Sequence, residues 1–451
     1  MNNRIKRNIT IPDYILEIIK LFKDKNQEIY LVGGSVRDSI LGIESSDYDL
    51  CTSMSTNEIK SLFNEYNIIN ENGLKHGTVS IIYKGNKIEI TEFRSLSDEK
   101  YDIYHDLYHR DFTINSLAYD GKYLYFNDTA LFDLENKIIK SANPLVNLKE
   151  DPLRILRAVR FYSKYGYIID IKTKEALFDL KGLLLKVSIE RIREEFNKIL
   201  LGKYFYEAID EYREILAVII PEIEIMFNYN QNNIFHHNDL YQHTINVVKN
   251  TTNILEVRLA AFLHDIGKPN SRVVDDNNQA HYYLHAYEGE KISKDILERF
   301  KYSKKTIKIV LFLIKYHDYN FSEKNRNIKK LLFNIAKEFD SEEYKDIFDY
   351  LLNLKEADRL DHNYSNKEIK LIDLTIVRKI GYELINDMKD NSCFNLKNLN
   401  INGYDLINLG YNGKEIGNTL NYLLEAVIND EVANEKDLLI KYLNKNRANS
   451  W

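Results

Sequence analysis

Leu31-Val-Gly-Gly-Ser-Val-Arg-Asp38, followed after a short gap by Ser46-Asp-Tyr-Asp-Leu50, is the stretch on which the reading of the fold turns. The apolar run ending at Val32 reads as a strand and the residues after it as a helix. Gly33 and Gly34 then bring bare backbone amides to a helix N-terminus, where phosphate binds well. Arg37 adds a fixed positive fork. In the second segment, strand alternation puts Asp47 and Asp49 on one face, close enough to share the hard, oxygen-seeking Mg²⁺ of phosphoryl transfer. A paired-glycine turn or an Asp-x-Asp is a weak signal by itself. In this order the two read as a nucleotide-transfer site.

The chain has 451 residues, too many for one ordinary core, so several domains are expected. Only five prolines and no low-complexity linker argue for helical modules docked end to end. The net charge of −6 does not announce a nucleic-acid binder, yet residues 137–205 carry fifteen Lys/Arg against eight Asp/Glu, a local balance of +7. Cys51 and Cys393 are too few and too separated for a disulfide framework or a thiolate zinc site. No apolar run reaches the length of a membrane span, and the first residues have no hydrophobic segment behind them to make a signal peptide. The expected location is cytoplasmic, with no membrane partner.

Residues 12–25 have helical periodicity, Glu28 to Val32 reads as a strand, and Val79 to Phe93 as a hairpin turning at Lys84-Gly-Asn-Lys87. From about Asp151 onward apolar residues recur at three and four, as in Ile155, Leu156, Val159 and Phe161, so the remainder should be almost wholly helical. Breaks near Pro221–Asn233 and Asn363–Asn366 divide it into three. In Glu150-Asp-Pro-Leu-Arg-Ile-Leu-Arg-Ala-Val-Arg160, Pro152 at an early helical position would leave Asp151 and Arg154 three apart on one face. An acceptor beside a donor fork matches the pairing edges of cytosine and adenine. Uracil and guanine present the reversed order and would leave buried groups unpaired, at about 1–3 kcal/mol each. Arg157 and Arg160 continue along the helix as phosphate partners.

Gly-Gly-x-Val-Arg-Asp followed by Asp-x-Asp resembles the head domain of the class II tRNA nucleotidyltransferases and bacterial poly(A) polymerases, within the polymerase-β-like nucleotidyltransferases. His109-Arg-Asp-Phe-Thr-Ile-Asn115 resembles that family's ribose-reading motif, with His109 in place of its usual first arginine. The resemblance implies that Arg110, Asp111 and Asn115 contact triphosphate and sugar, and that the Asp151–Arg154 segment selects CTP and ATP. Glu89 is a candidate third carboxylate near the metal ions. Glu190-Arg-Ile-Arg-Glu-Glu-Phe196 resembles the neck motif that supports the site and touches tRNA.

Three features depart from the family pattern. Only fourteen residues, Ser95 to Tyr108, separate Phe93-Arg94 from His109, a shortening that marks relatives adding only two cytidines. Leu131-Phe-Asp-Leu-Glu-Asn-Lys-Ile-Ile139 lacks the glycine often found before Asp-Leu. Lys75-His-Gly-Thr-Val-Ser80 stands where the poly(A) polymerase branch carries a Gly-Arg-Arg-Phe type of signature.

His264-Asp265-Ile-Gly-Lys-Pro269 closes an apolar helix, Val257 to Leu263, and adjacent His-Asp aims two ligands at one divalent ion. It resembles the HD metal-dependent phosphohydrolase domain, whose signature maps to His243, His264, Asp265 and Asp358, with His285 and His317 as further candidates and Lys268 as a phosphate contact. The segment Phe394 to Gly410, with Gly413 and Gly417, resembles the C-terminal module of the HD-bearing tRNA nucleotidyltransferases.

The expected architecture is therefore multidomain and mostly α. An α/β polymerase-β-like head (1–140) is followed by a helical neck for nucleotide selection and RNA binding (141–230), a helical HD domain (231–363) and a helical tRNA-binding tail (364–451). The resemblance implies a template-independent enzyme that builds or repairs the 3′ CCA end of tRNA from CTP and ATP. Its cofactors would be Mg²⁺ at Asp47 and Asp49 and a divalent metal in the HD domain, which would carry a second, phosphohydrolase activity. The alternatives are CC addition alone, poly(A) synthesis, or an HD phosphodiesterase whose head only binds RNA.

Overall fold

The strand before the paired glycines ends at Val32 because Gly33 takes φ +73° and ψ −129°, a conformation that glycine alone adopts without strain, and turns the chain into the helix Gly34–Ile40. The computed structural model describes residues 3–45, 47–64, 67–69, 77–93, 102–127, 129–232, 238–276, 279–321, 325–361, 373–390, 396–429 and 431–448. These form two units, Met1–Ile219 and Ile220–Trp451.

The first unit is built on an eight-stranded sheet: β1 (Asn3–Lys6), β2 (Ile29–Val32), β3 (Asp49–Thr52), β4 (Asn67–Ile69), β5 (Thr78–Tyr83), β6 (Asn86–Glu92), β7 (Leu117–Tyr119) and β8 (Tyr123–Phe126). The order is β1-β8-β7-β2-β3-β6-β5-β4, and only β3 and β6 run parallel. β5 and β6 form the expected hairpin. Its turn residues Lys84 and Gly85 both have positive φ, as a two-residue turn matched to strand twist requires. Tyr30, Val32, Cys51 and Ala118 from the sheet bury against Ile103 and Leu107 of the helix Ile103–Tyr108. The helix Asp13–Lys23 packs along β2, burying Ile15, Ile18, Ile19 and Phe22 at the expected spacing.

After Pro144 the unit is helical apart from the short parallel pairing of Ile138–Ile139 with Ile168–Ile169. The helix Arg154–Tyr165 packs on Ile189–Leu200 and Phe205–Glu211. Among the described residues the second unit is helical except for one hairpin, Arg272–Val274 with Ala280–Tyr282. Its core brings together the helices Leu240–Asn250, Leu255–Leu263, His285–Arg299, Lys304–Tyr316 and Tyr344–Asp361. No helix among the described residues is long and apolar enough to cross a membrane.

Two local expectations are corrected. Asp47 lies outside the strand: β3 begins at Asp49, whose ladder partner Val32 is the last residue of β2 before the glycine turn, so β2 does not extend to Asp47. Asp151 and Arg154 do not share a helix face. Asp151 is extended (φ −136°, ψ 94°) at the end of the helix Pro144–Glu150, and the next helix starts at Arg154. Pro152 is the cause, since a residue preceding proline is pushed out of the helical region. The break near Asn363–Asn366, residues 95–101 of the shortened segment, Lys75 and His76, and Cys393 to Asn395 lie outside the described residues.

Candidate functional sites

In the first unit the sheet register sets Glu89 of β6 directly beside Asp49 of β3. Asp47 and Asp49 are both exposed, and Glu89 is half-buried. The Asp49 carboxyl is raised above its ordinary value, first by lost hydration and then by the charge of Glu89. Asp47 adds to the rise, while Arg110 and Arg157 oppose it. Three carboxylates crowded so that one resists ionisation suit a bound cation.

Beneath them runs a buried polar network. Arg37 is packed against the rings of Phe161 and Tyr165. It donates from Nε to Asp38 (2.8 Å), from Nη1 to Oδ1 of Asn115 (2.5 Å) and from Nη2 to the Tyr165 hydroxyl (2.8 Å). Asn115 in turn donates from Nδ2 to Oδ1 of Asp111 (2.9 Å). Oδ2 of Asp111 accepts from Nε and Nη2 of Arg157 at 2.9 and 2.6 Å. Burial would push the Asp111 carboxyl up, but Arg157 and the hydrogen bonds from Asn115 and the Phe112 amide hold it well below the usual range. Arg110 is gripped by Oδ2 of Asp106 at 3.0 and 2.8 Å and lies over Gly33, where a Cβ would come within 2.8 Å of its Nη1. Gly34 opens the following helix. Arg160 pairs with Glu195 at 2.7 Å and stacks on Phe161.

The base-selection pair is arranged otherwise than the spacing suggested. Arg154 is buried, donating to the backbone carbonyls of His109 (2.8 Å) and Asn147 (3.1 Å). Asp151 accepts from Nη2 of Arg191 at 3.0 Å. Arg191 lies in the quoted neck motif, but its pairing with Asp151 was not foreseen. Asp106 had a signal, since it precedes Arg110 by one helical turn.

The second unit gathers His243, His264, Asp265, His285, His317 and Asp358 into one buried cluster. Nε2 of His243 is 3.4 Å from Oδ2 of Asp265 and from Oδ1 of Asp358. Nε2 of His264 is 3.2 Å from Oδ2 of Asp265 and 4.0 Å from Oδ1 of Asp358. Each ring is oriented through its other nitrogen. His243 Nδ1 meets Asp361 (2.7 Å), while the Nδ1 atoms of His264, His285 and His317 meet the carbonyls of Ala261 (2.8 Å), Tyr282 (2.7 Å) and Ile314 (2.6 Å). Pinning Nδ1–H fixes the tautomer and turns an Nε2 lone pair inward, as metal-binding histidines require. Burial would lower the His243 pKa, but Asp265, Asp358 and Asp361 push it up to about 10. Asp265 is held well below the usual carboxylate range, burial being outweighed by His264 and Lys268.

Lys268 reaches Oδ2 of Asp265 (2.7 Å) and Gln231 (3.0 Å). Gly267 explains how His285 arrives here: a Cβ on it would fall 2.2 Å from the His285 carbonyl and 2.4 Å from the Gly289 amide, so only glycine admits that helix. Asp361, missed earlier, lies one helical turn after Asp358. A cavity of about 300 Å³ opens onto the cluster, lined among others by Asp265, Lys268, Tyr283, His285 and Asp318.

Three family models match the chain: "Poly A polymerase head domain" over residues 29–140, "Probable RNA and SrmB- binding site of polymerase A" over 166–226, and "HD domain" over 240–363. Among curated proteins, the CCA-adding enzyme of Lactobacillus helveticus is 38% identical over 217 residues, covering 44% of this chain and 53% of that protein. The CCA-adding enzyme of Lactobacillus johnsonii is 39% identical over 198 residues, covering 41% and 49%. The chain thus spans about half the length of the curated relatives it matches. Among solved structures, the Bacillus stearothermophilus CCA-adding enzyme in complex with CTP aligns with a TM-score of 0.69 at 22% identity, covering 98% of this chain and 99% of that one. The Thermotoga maritima CCA-adding enzyme complexed with tRNA aligns with a TM-score of 0.57 at 21% identity, covering 96% of each. At these identities the likeness is one of fold.

Proposed function

We propose that the chain, matched in separate segments by a poly(A) polymerase head, a polymerase RNA-binding segment and an HD domain, is a member of the family of CCA-adding tRNA nucleotidyltransferases and bacterial poly(A) polymerases, and that it adds nucleotides from CTP and ATP to the 3′ end of tRNA without a nucleic-acid template. The observation that carries this reading is the register of Asp49 beside Glu89, with Asp47 close enough to perturb Asp49. Asp47, Asp49 and Glu89 would hold Mg²⁺. When bound, that ion lowers the pKa of the attacking hydroxyl and neutralises charge on the triphosphate.

The chain's own residues bind and orient. Arg157 keeps a third of its side chain open while Asp111 fixes its fork, so it can reach a phosphate without rearranging. Arg37 is committed to Asp38, Asn115 and Tyr165 and acts by holding the sugar-side network in place. Asp151 reads the base by exchanging Arg191, an exposed partner worth about 0–1 kcal/mol, for the amino group of cytosine or adenine. Arg154 supports that wall through the two carbonyls it binds. We retain the division into head (1–140), neck (141–230), HD domain (231–363) and tail (364–451), and the reading of neck and tail as tRNA-binding.

The test uses tRNA transcripts lacking CCA, lacking only the last adenosine, or complete, with CTP and ATP singly and together, resolved to the nucleotide. Finished ends on both truncated substrates support CCA addition. A stop after two cytidines makes this a CC-adding enzyme, and long adenosine tails on unstructured RNA make it a poly(A) polymerase. No incorporation, or full incorporation by Asp49→Ala, refutes the proposal.

A second activity is favoured by the HD cluster. His243, His264, Asp265 and Asp358 would hold one divalent ion, which supplies an activated water for hydrolysis of a phosphate ester. Loss of that hydrolysis in His264→Ala, with nucleotide addition intact, is the expected result. Loss of both would refute independent sites.

A further inference from the structure

We propose that Phe161 is a positioning residue of the nucleotide site: its ring is a common seat for the guanidinium groups of Arg37, Arg157 and Arg160, and keeps them together where the triphosphate is to bind. This rests on the reading of the head as a nucleotide-transfer site.

The first ground is convergence. The Phe161 ring is buried, and the Cζ atoms of Arg160, Arg37 and Arg157 lie 4.3, 5.5 and 5.9 Å from its centroid. All three fall within the roughly 6 Å at which a ring quadrupole attracts a cation. Arg157, Arg160 and Phe161 share the helix Arg154–Tyr165, but Arg37 comes from Gly34–Ile40, so the ring joins two elements. The ring is itself held. Phe112 meets it edge-on at 5.7 Å and 85°, and Tyr165, one turn further along the helix, stacks on it at 6.2 Å and 13°.

The second ground is how the three cations divide their contacts. A guanidinium carries its N–H donors in the plane and none on its faces. Arg37 gives Nε, Nη1 and Nη2 to Asp38, Asn115 and Tyr165, and Arg157 gives Nε and Nη2 to Asp111. Arg160 meets Glu195 at 2.7 Å. Each cation has a carboxylate of its own, and Phe161 is the one contact that all three share.

The third ground is the place of the ring in the network. Hydrogen bonds run from Arg37 to Asn115, from Asn115 to Asp111, and from Arg157 back to Asp111. The cations at the two ends of that chain rest on the same ring, so Phe161 closes the circuit between the sugar side and the phosphate side. Three like charges gathered in this way repel. Burial lowers the Arg160 pKa, and Arg157 and Arg37 lower it further against the opposing charge of Glu195. Without the negative face of the ring the guanidiniums would drift apart, Arg157 first, since a third of its side chain is open. An incoming triphosphate would then have to gather them again, which weakens its binding without altering the chemical step.

The experiment varies the ring in place, because Phe161→Leu changes packing and charge environment together. The full chain is made with phenylalanine bearing no, one, two or three fluorines at position 161; fluorine drains negative charge from the ring face with little change of shape. Binding of CTP with Mg²⁺ is measured by calorimetry, and KM and kcat for CTP by addition to a tRNA transcript lacking CCA. Kd and KM should rise with each fluorine, by at least about fivefold at three, while kcat stays within about twofold. The same series at Phe178, whose ring lies 5.8 Å from Nζ of Lys181, should leave both constants unchanged. Flat Kd and KM across the Phe161 series overturn the proposal, as does an equal rise at Phe178 or a fall in kcat at constant KM. A parent chain that neither binds CTP nor adds it overturns the reading of the head, and this proposal with it.

Discussion

Replacing Gly33 by alanine should cost the head far more than the same change at Gly42, although both have left-handed φ, +73° and +71°. Around Gly42 nothing lies within 4 Å of the added Cβ, so only conformational strain remains, about 1–2 kcal/mol. At Gly33 the new Cβ would fall 2.8 Å from Nη1 of Arg110. That guanidinium cannot step aside freely, because it is buried and donates twice to Asp106. Shifting it forfeits at least one charge-assisted bond, about 1.5–3 kcal/mol, which brings the total to roughly 2.5–5 kcal/mol. Hydrogen exchange at the amides of β2 and β3 reads the local opening. With about 1.4 kcal/mol per factor of ten, Gly33→Ala should accelerate it roughly 60- to 4000-fold and Gly42→Ala about 5- to 30-fold. Arg110→Ala in the Gly33→Ala background relieves the clash but strips Asp106 of its donor, so the two substitutions together should cost less than the sum of each alone. Equal acceleration at the two glycines would refute the role given to Arg110.

Asp111→Asn removes the charge opposite Arg157 and should destabilise the first unit by about 2–3 kcal/mol, less than for a fully buried pair because Arg157 is partly solvated. Because the folded pKa of Asp111 is depressed, its contribution is present above the unfolded value of about 3.9 and lost as pH falls through the lower folded value. Urea unfolding across acid pH should therefore show an acid limb in the wild type that the variant lacks, and identical limbs would contradict this. In the metal-free chain, His243 contributes stability that is full below about pH 6.5 and lost as pH rises through about 10. A metal ion must displace its proton, so calorimetry near pH 7 in buffers of different ionisation heat should register proton release on binding; buffer-independent heats would count against it. Asp151→Ala should loosen base choice more than it weakens triphosphate binding, whereas Arg154→Ala should mainly destabilise the segment 147–154. Unchanged discrimination among four nucleotides in Asp151→Ala would end the protein-template idea.

Much of this was legible because it is local. The strand–glycine–helix turn at Gly33, the hairpin at Lys84–Gly85 and the helical repeat after Asp151 each follow from neighbouring residues, and the structure has all three. The aspartates and the His-Asp dyad announced themselves because their chemistry is uncommon in such spacing. What the sequence hid depends on partners far along the chain. Nothing near Arg37 indicates that Asn115 and Tyr165 will occupy its fork, and nothing near Asp151 indicates Arg191. The shared helix face expected of Asp151 and Arg154 failed for another reason: counting three along a helix overlooked the effect of Pro152 on the residue before it.

The lone parallel pairing in the sheet also has a bearing on when the head becomes competent. β2 and β3 are joined by a modest connection, but β3 meets β6 only after the intervening helix and strands have been made. Parallel neighbours demand such crossovers, and contacts distant in sequence close late because the entropy of the loop must be met first. Asp49 and Glu89 therefore come together after the local β5–β6 hairpin has formed, across a stretch of chain shorter than those that bring β2 to β7 and β1 to β8. A nascent chain emerging only as far as β3 carries Asp47 and Asp49 without Glu89, so the three carboxylates meet only once β6 has joined the sheet.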